Sequence, residues 1–500
     1  MSQHINRRRN PSISDWLRYH FLEKKLNTFF GYFLLTLTAV GSTYAISMID
    51  YKIGPILIAV VGSLLLLVAF FKYPYFGFYS LIVLSAIAPM LERLFTWPVP
   101  VGTFVEILTY LSLLTVQMNY DLRKSMDARF WRNPITIGFY ILLGYYVIEL
   151  FNPAMLSKLG WFSFFRKQIN TFVFYYLCYC FLNSKKRIFF FIDFIIIFTT
   201  ILALYACKQQ WFGYAGFELR GIGKGMILLV QGGFVRKISV FGDPATSGIL
   251  FACVAMFCLV LLLRESNKKR KIWLAIATFI NLLGYSYSGT RTATLMIVVG
   301  VAIYSIATIY EKRSLLFLIS SVVLFSVFMV MPFQNVITGR IKSTFEGTKD
   351  LSAAIRDYNR HQVQPYIHEH PIGGGIFTCG FEGPKYNHGH YLELLQPDSG
   401  YMKVIAEQGP IGLILLLLFY FIALRQCIRN FYRSRQAEIQ NYYIALLVML
   451  FTMFVAQYSQ MALIQYPIIY YFHAALIIII KLIDYDSERD TENLQNTKYA

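Results

Sequence analysis

The feature that most restricts what this chain can fold into is the recurrence of long apolar runs. About fourteen segments are apolar over enough residues to cross a hydrocarbon core as helices. They are 29–49, 53–71, 75–92, 100–118, 134–151, 169–183, 188–207, 245–263, 272–286, 293–310, 314–332, 410–424, 441–458 and 463–480. The pairs near 53–92 and 441–480 have short connections, so the expectation is about 12–14 spans. Only 15% of the residues are charged and 56% are hydrophobic. A soluble domain is about a quarter charged, which excludes that class. The expected fold class is all-α: a polytopic transmembrane helix bundle with a large helical extracytoplasmic loop before the last spans.

Basic residues set the expected orientation. More than half of the 46 Lys and Arg fall in the N-terminal "RRR" and "KK", "RKSMDARFWR", "KKR", "RESNKKRK", "EKR", "RQCIRNFYRSR", Lys72 and the tail. The positive-inside rule then places both termini and these loops in the cytoplasm. The basic head is not followed by a small-residue cleavage site, so it does not read as a cleavable signal. The net charge of +19 is accounted for by topology and by attraction to anionic headgroups. No nucleic-acid partner is needed. The seven cysteines show no CxxC or metal spacing, and no metal is expected. Cys207 and Cys379 could both face outward, where a disulfide is open to them.

These limits divide the chain into a cytoplasmic N-terminus (1–28), a transmembrane bundle (29–332) with an outward loop at 208–242, a large periplasmic loop (333–409), C-terminal transmembrane helices (410–482) and a cytoplasmic tail (483–500). Both outward loops are longer than a connection needs, which points to function.

Three constellations could carry chemistry. In "GGFVRKISVFGDPATSG" (232–248), Arg236 and Lys237 precede a helix start with Asp243 as N-cap and Pro244 at the first helical position. Such a start can receive an anion, or it can be a plain capped helix beside an interfacial basic pair. In "GYSYSGTRTATLMIVVG" (284–300), Arg291 lies between two apolar spans with no acidic residue nearby. An arginine at that depth reads as functional unless it snorkels to headgroups. In the large loop, Arg356 and Arg360 stand one helical turn apart. "HEHPIGGG" (368–375) and "YNHGHYLELLQPDSGYMKVIAEQGPIG" (386–412) follow. Gly373 and Gly375 permit close backbone approach to a ligand. Asp398 and Tyr401 would share one face of a helix beginning near Asp398. Asp398 could equally be an N-cap with Ser399, and His388 and His390 could be surface residues. What favours function is that these groups share one face of the membrane. Arginines clamp phosphates, and a nearby His or Asp can take a proton from a hydroxyl.

Taken in order, the motifs resemble the O-antigen ligase and O-antigen polymerase superfamily of bacterial polysaccharide assembly. They are Arg236 with "FGDPATSG", "SGTRT" at 288–292, "AAIRDYNRHQVQPYIHEHPIGGG", and "DSGYMKVIAEQGPIGL" at 398–413. The resemblance covers roughly 230–425 and implies a metal-independent, cofactor-free inverting glycosyltransferase of the bacterial inner membrane, acting on its periplasmic face. A glycan on undecaprenyl diphosphate would pass to an acceptor hydroxyl, either of a second lipid-linked glycan (polymerase) or of lipid A–core (ligase). A chain-length regulator could join these partners. By the same resemblance, Arg236 and Arg291 would bind the diphosphate, and Arg356 would be a further anion contact. Ligases have His where this chain has Asp398, so Asp398, His390 or His388 would be the base. Gly373, Gly375, Tyr401 and Lys237 would line the substrate loops. The departure at Asp398 favours polymerase over ligase. A polysaccharide flippase is the reading from another class, but transporters usually carry repeated halves and midplane polarity. Here the polarity gathers in the loops.

Overall fold

The computed structural model describes residues 27–49, 68–94, 101–124, 128–231, 233–331, 336–345 and 351–486, with the isolated glycines Gly54 and Gly62. The expected span 53–71 lies outside the described residues except at its end. Every other expected span falls on a described helix.

An N-terminal unit ends at Tyr73. Its helix α1 (Phe29–Tyr44) passes into a π turn at Ala45–Ile49. Thr36, Thr38 and Thr43 return their hydroxyls to carbonyls one turn back, which satisfies these donors within the apolar helix itself.

The second unit begins at Pro74. Its principal helices are α2 (Pro74–Leu94), α3 (Val101–Met118), α4 (Pro134–Ile148), α5 (Lys158–Phe181), α6 (Lys185–Phe212), α7 (Pro244–Arg264), α8 (Lys268–Ser288), α9 (Arg291–Ala307), α10 (Lys312–Val330), α11 (Leu351–Glu369), α12 (Gly400–Arg433), α13 (Ala437–Ser459) and α14 (Ile468–Lys481). Helix starts follow the polar punctuation of the sequence. Asn133 accepts the Ile135 N–H at 2.9 Å ahead of Pro134, and Asn267 accepts the Lys269 N–H at 3.0 Å. Both satisfy donors that a helix start leaves open.

The core is built around α7, which packs against α8, α9 and α13. α12 lies on α13 and α4, and α14 lies on α5, where Phe174 and Tyr470 stack with ring centroids 3.8 Å apart. α7 is apolar all round and almost wholly enclosed. α10 is equally apolar but exposes Leu316, Leu324 and Val330. Helices apolar on every face belong either to a protein core or to lipid. Among the described residues, nine helices are long and apolar enough to cross a membrane. α3 and α9 are apolar but shorter. The protein is thus an all-α polytopic bundle.

Several boundaries differ from expectation, these three among them. α5 starts eleven residues before 169, at Lys158, because its backbone ladder continues through Arg166, Lys167 and Gln168, where hydropathy stops. α12 starts at Gly400 and bends at Gly409, so the expected span from 410 is only its second limb. The segment from 463 opens with a short 3-10 turn at Ala462–Ile464, and α14 begins after Pro467.

Candidate functional site

The bend in α12 organises the loop face. Gly409 sits at φ 67 and Pro410 has no N–H, so the carbonyls before the bend lose their helical partners. Three groups from elsewhere replace them. The Gly374 N–H donates to Ala406 O at 2.9 Å and the Gly375 N–H to Glu407 O at 2.8 Å. The Tyr145 hydroxyl donates to Gln408 O at 2.6 Å. Gly373 and Gly375 hold φ of +73 and +93, and a Cβ on Gly373 would meet Glu407 O at 2.5 Å. The close backbone approach expected of these glycines is therefore made to the bend of α12. Asn387 fixes the far side of the loop by accepting the Ser157 N–H at 2.9 Å and donating to Phe377 O at 2.8 Å.

Arg236 is drawn to the α8–α9 turn. Its Nε donates to Ser288 O at 3.0 Å and its Nη2 to Thr290 Oγ1 at 3.1 Å. Thr290 Oγ1 in turn donates to Pro244 O at 2.7 Å. Asp243 caps α7, accepting the Thr246 N–H at 2.8 Å. Arg291 follows Thr290 as the first residue of α9. The "RKISVFGDP" and "SGTRT" stretches thus form one junction. Lys237 is buried beside it, its N–H on Tyr287 O at 3.0 Å and its ammonium 5.2 Å from the centre of the Tyr214 ring. Burial pushes its pKa down.

The C-terminal end of α13 joins this junction to the long loop. Thr292 Oγ1 and Ser459 Oγ are 2.7 Å apart. Ser399 Oγ donates to Gln457 O at 3.3 Å, and the Gly400 N–H to Gln460 O at 3.4 Å. The Arg360 guanidinium lies 5.0 Å from the centre of the Tyr458 ring. Asp398, Arg360 and Tyr458 line one small crevice. Ser399, not Asp398, caps α12 by accepting the Met402 N–H at 3.4 Å. Asp398 precedes the cap and is exposed. Tyr401 spends its hydroxyl on Phe454 O at 2.8 Å, tying α12 to α13.

The two candidate histidines lie elsewhere, in the loop after α11. The His390 Nδ1 accepts the Leu392 N–H at 3.0 Å, and its Nε2 is 3.4 Å from the Tyr366 hydroxyl. Burial, then the neighbouring His370, lowers its pKa. Tyr366 is six residues beyond Arg360, roughly 9 Å along the helix. His388 is 87% exposed and lies 2.7 Å from Glu393 Oε1; the resulting hydrogen bond holds Glu393 below the usual carboxylate range. The Arg356 side chain lies outside the described residues.

Two features escaped the sequence reading. Arg360 stands at the Asp398 crevice; its spacing from Arg356 was the only signal. The second feature is a buried charge cluster. Lys403 Nζ lies 3.2 Å from Glu382 and 3.9 Å from Glu407, and Cys379 donates its thiol to Glu407 at 3.2 Å. The K-x-x-x-E spacing at 403 and 407 places both on one helical face. All seven cysteines are free and buried, Cys207 and Cys379 included. Among the described residues, no three His, Cys, Asp or Glu side chains gather as a metal site.

A cavity of about 450 Å³ opens beside Gly400 and this cluster. Asp243, Thr246, Gln457 and Gln465 border it, over a floor that includes Phe419, Tyr420 and Phe472.

No curated protein matches the chain. Residues 276–417 match the family model described as O-antigen ligase. The match contains Arg291, Arg360, His390 and Asp398 and excludes Arg236. The chain is a multi-pass helical membrane protein whose residues 276–417 match the O-antigen ligase family model, consistent with the O-antigen ligase and polymerase superfamily.

Proposed function

We propose that this glycosyltransferase of the ligase and polymerase type is a repeat-unit polymerase of a bacterial surface polysaccharide. It acts on the periplasmic face of the inner membrane, with both termini cytoplasmic. The observation that carries the reading is the convergence on the end of α13. Arg236 is held on the Ser288–Thr290 turn, Arg291 follows directly, and Thr292 bonds to Ser459. The other side of the same helix end receives the Asp398–Ser399 cap and Arg360. Cations for a diphosphate and a carboxylate for a hydroxyl are thus gathered by one helix terminus.

In the proposed reaction the acceptor hydroxyl oxygen attacks the anomeric carbon of a glycan on undecaprenyl diphosphate. The bond from that carbon to the diphosphate oxygen breaks, its electron pair leaves with the diphosphate, and the configuration inverts. The hydroxyl proton passes to the Asp398 carboxylate, with His390 and His388 as the alternative bases. Arg236 and Arg291, assisted by Arg356, stabilise the charge that develops on the leaving group. Gly373 and Gly375 hold the substrate loop against α12, and Tyr401 and Lys237 support its two sides. Protein groups carry every one of these roles.

The family model's description supports a second reading, transfer of finished glycan to lipid A–core. Aspartate at 398, where the resembling ligases carry histidine, favours polymerase. Replacing Arg291 with Ala in the source bacterium tests the enzymatic reading: long-chain polysaccharide should vanish at a normal protein level, and its persistence would defeat the proposal. The accumulated material separates the two roles. Single repeat units capped on lipid A mark a lost polymerase, and long polymer retained on undecaprenyl diphosphate marks a lost ligase.

A further inference from the structure

Four glutamines converge on the cavity beside Gly400: Gln168, Gln408, Gln457 and Gln465. Gln408 and Gln457 are only 4% and 3% exposed. Two of these side chains are held at one end. Gln457 Oε1 accepts the Leu463 N–H at 3.0 Å, and Gln465 Oε1 lies 2.6 Å from Thr246 Oγ1. Among the described residues, neither Nε2 has a protein acceptor, and the Gln408 and Gln168 amides have no protein partner. Buried polar groups are normally paired. Two buried and two half-buried amides with free ends on one cavity therefore point to a ligand.

The remaining lining says which ligand. The walls are aromatic, with Tyr146, Phe164 and Phe377 on one side and Tyr420 and Phe472 on another. The charged groups are Lys167, Lys403, Asp243, Glu382 and Glu407. Lys403 is held by Glu382 and Glu407, and the Lys167 ammonium rests 5.3 Å from the centre of the Phe377 ring. Carboxylates are not outnumbered, so nothing draws an anion. The cavity volume of about 450 Å³ falls in the roughly 300–1,000 Å³ range of small-ligand sites. Amides and carboxylates that exchange bonds with hydroxyls, over aromatic faces that receive C–H surfaces, are the chemistry of an uncharged pyranose.

We infer that this cavity is a subsite for one neutral sugar ring of the glycan substrate, separate from the arginine junction that faces the diphosphate. The inference rests on the proposed glycan transfer and assigns the side chains that read the sugar: Gln457 and Gln465 as donors, with Asp243 beside them. Neither Arg236 nor Arg291 lines this cavity.

The test uses the full chain in lipid nanodiscs free of glycosidic detergent. Saturation-transfer NMR is run against neutral methyl pyranosides of the gluco, galacto, manno and N-acetylhexosamine series, with glucuronate as the charged comparison. At least one neutral sugar should receive transfer and glucuronate should not. Gln465→Glu and Gln457→Glu keep the oxygen ends and remove the N–H donors. Each should weaken binding about tenfold, as loss of a hydrogen bond to a buried group does. No transfer from any neutral sugar, or unchanged transfer in both folded variants, overturns the inference. So does a photoreactive polyprenyl phosphate that labels Tyr420 and Phe472 while the sugars give no signal, since the cavity then holds lipid. Arg291→Ala separates the two readings. Sugar transfer kept and polymer lost agrees with both, whereas sugar transfer kept and polymer normal defeats glycan transfer at the arginines and leaves the subsite standing.

Discussion

Gly375 donates its backbone N–H to the carbonyl of Glu407 at 2.8 Å. A loop glycine thereby completes a helix that a Gly-Pro pair has bent open. Through this bond and its neighbour at Gly374, the loop after α11 is docked on α12, whose first turn follows Asp398.

The docking should be sensitive to a single methyl. Gly373 has φ +73 and its Cβ would meet Glu407 O at 2.5 Å, whereas Gly389 has φ +85 with no atom within 4 Å. Gly389→Ala bears only the backbone cost, about 1 kcal/mol. Gly373→Ala bears that cost and the collision, at about 1–3 kcal/mol more. Thermal unfolding of the purified protein should rank wild type above Gly389→Ala and Gly389→Ala above Gly373→Ala.

Arg236 uses two different nitrogens on Ser288 O and Thr290 Oγ1. Lysine keeps the charge but cannot span both partners. Arg236→Lys should therefore lose about 10–100-fold in polymer formation in membrane vesicles, close to Arg236→Ala, as charge-assisted hydrogen bonds of about 1.5–3 kcal/mol imply. Near-normal activity in the lysine variant would show that charge alone suffices.

The base assignment is decided by Asp398→Asn against His390→Ala. Asp398→Asn should abolish transfer at a normal protein level, and His390→Ala should retain most of it. The reverse pattern would move the base to His390.

His390 also predicts a pH effect on stability. Its folded pKa lies below the ordinary 6.5, through burial and then His370. Above 6.5 both the folded and unfolded imidazoles are neutral, and the contribution is fully present. As pH falls below 6.5 the unfolded chain binds the proton first, so stability drops through the folded value. His390→Gln should flatten the melting temperature across that acidic window.

Lys403 is the cation next to the buried Glu407. Lys403→Met leaves that carboxylate without its cation and should cost about 3–5 kcal/mol. Lys403→Met with Glu407→Gln should recover much of the loss, since the carboxylate that then remains, Glu382, is partly open to solvent. Expression and melting temperature of the two proteins measure the difference.

Hydropathy alone located nearly every described apolar helix, because backbone groups in a lipid interior must be satisfied within the segment. The "DP" start of α7, with Asp243 as its cap, was equally legible, because capping is a local hydrogen bond. Polar helix ends were not: α5 continues through Arg166 and Lys167, and α12 runs ahead of its apolar limb from Gly400. Composition ends there, but the ladder does not.

The sequence by itself determined that this chain is a helical membrane protein with arginines and acid–base groups concentrated in two long loops. Periodicity and charge are local properties, and they suffice for that. Only the tertiary structure decided which of these groups meet. It placed Arg236 on the turn before Arg291, set Arg360 at the Asp398 crevice, gave the cap to Ser399, and turned four scattered glutamines toward one cavity. Such encounters depend on how helices far apart in sequence pack at the end of α13 and around the bend at Gly409, where no local rule of spacing reaches.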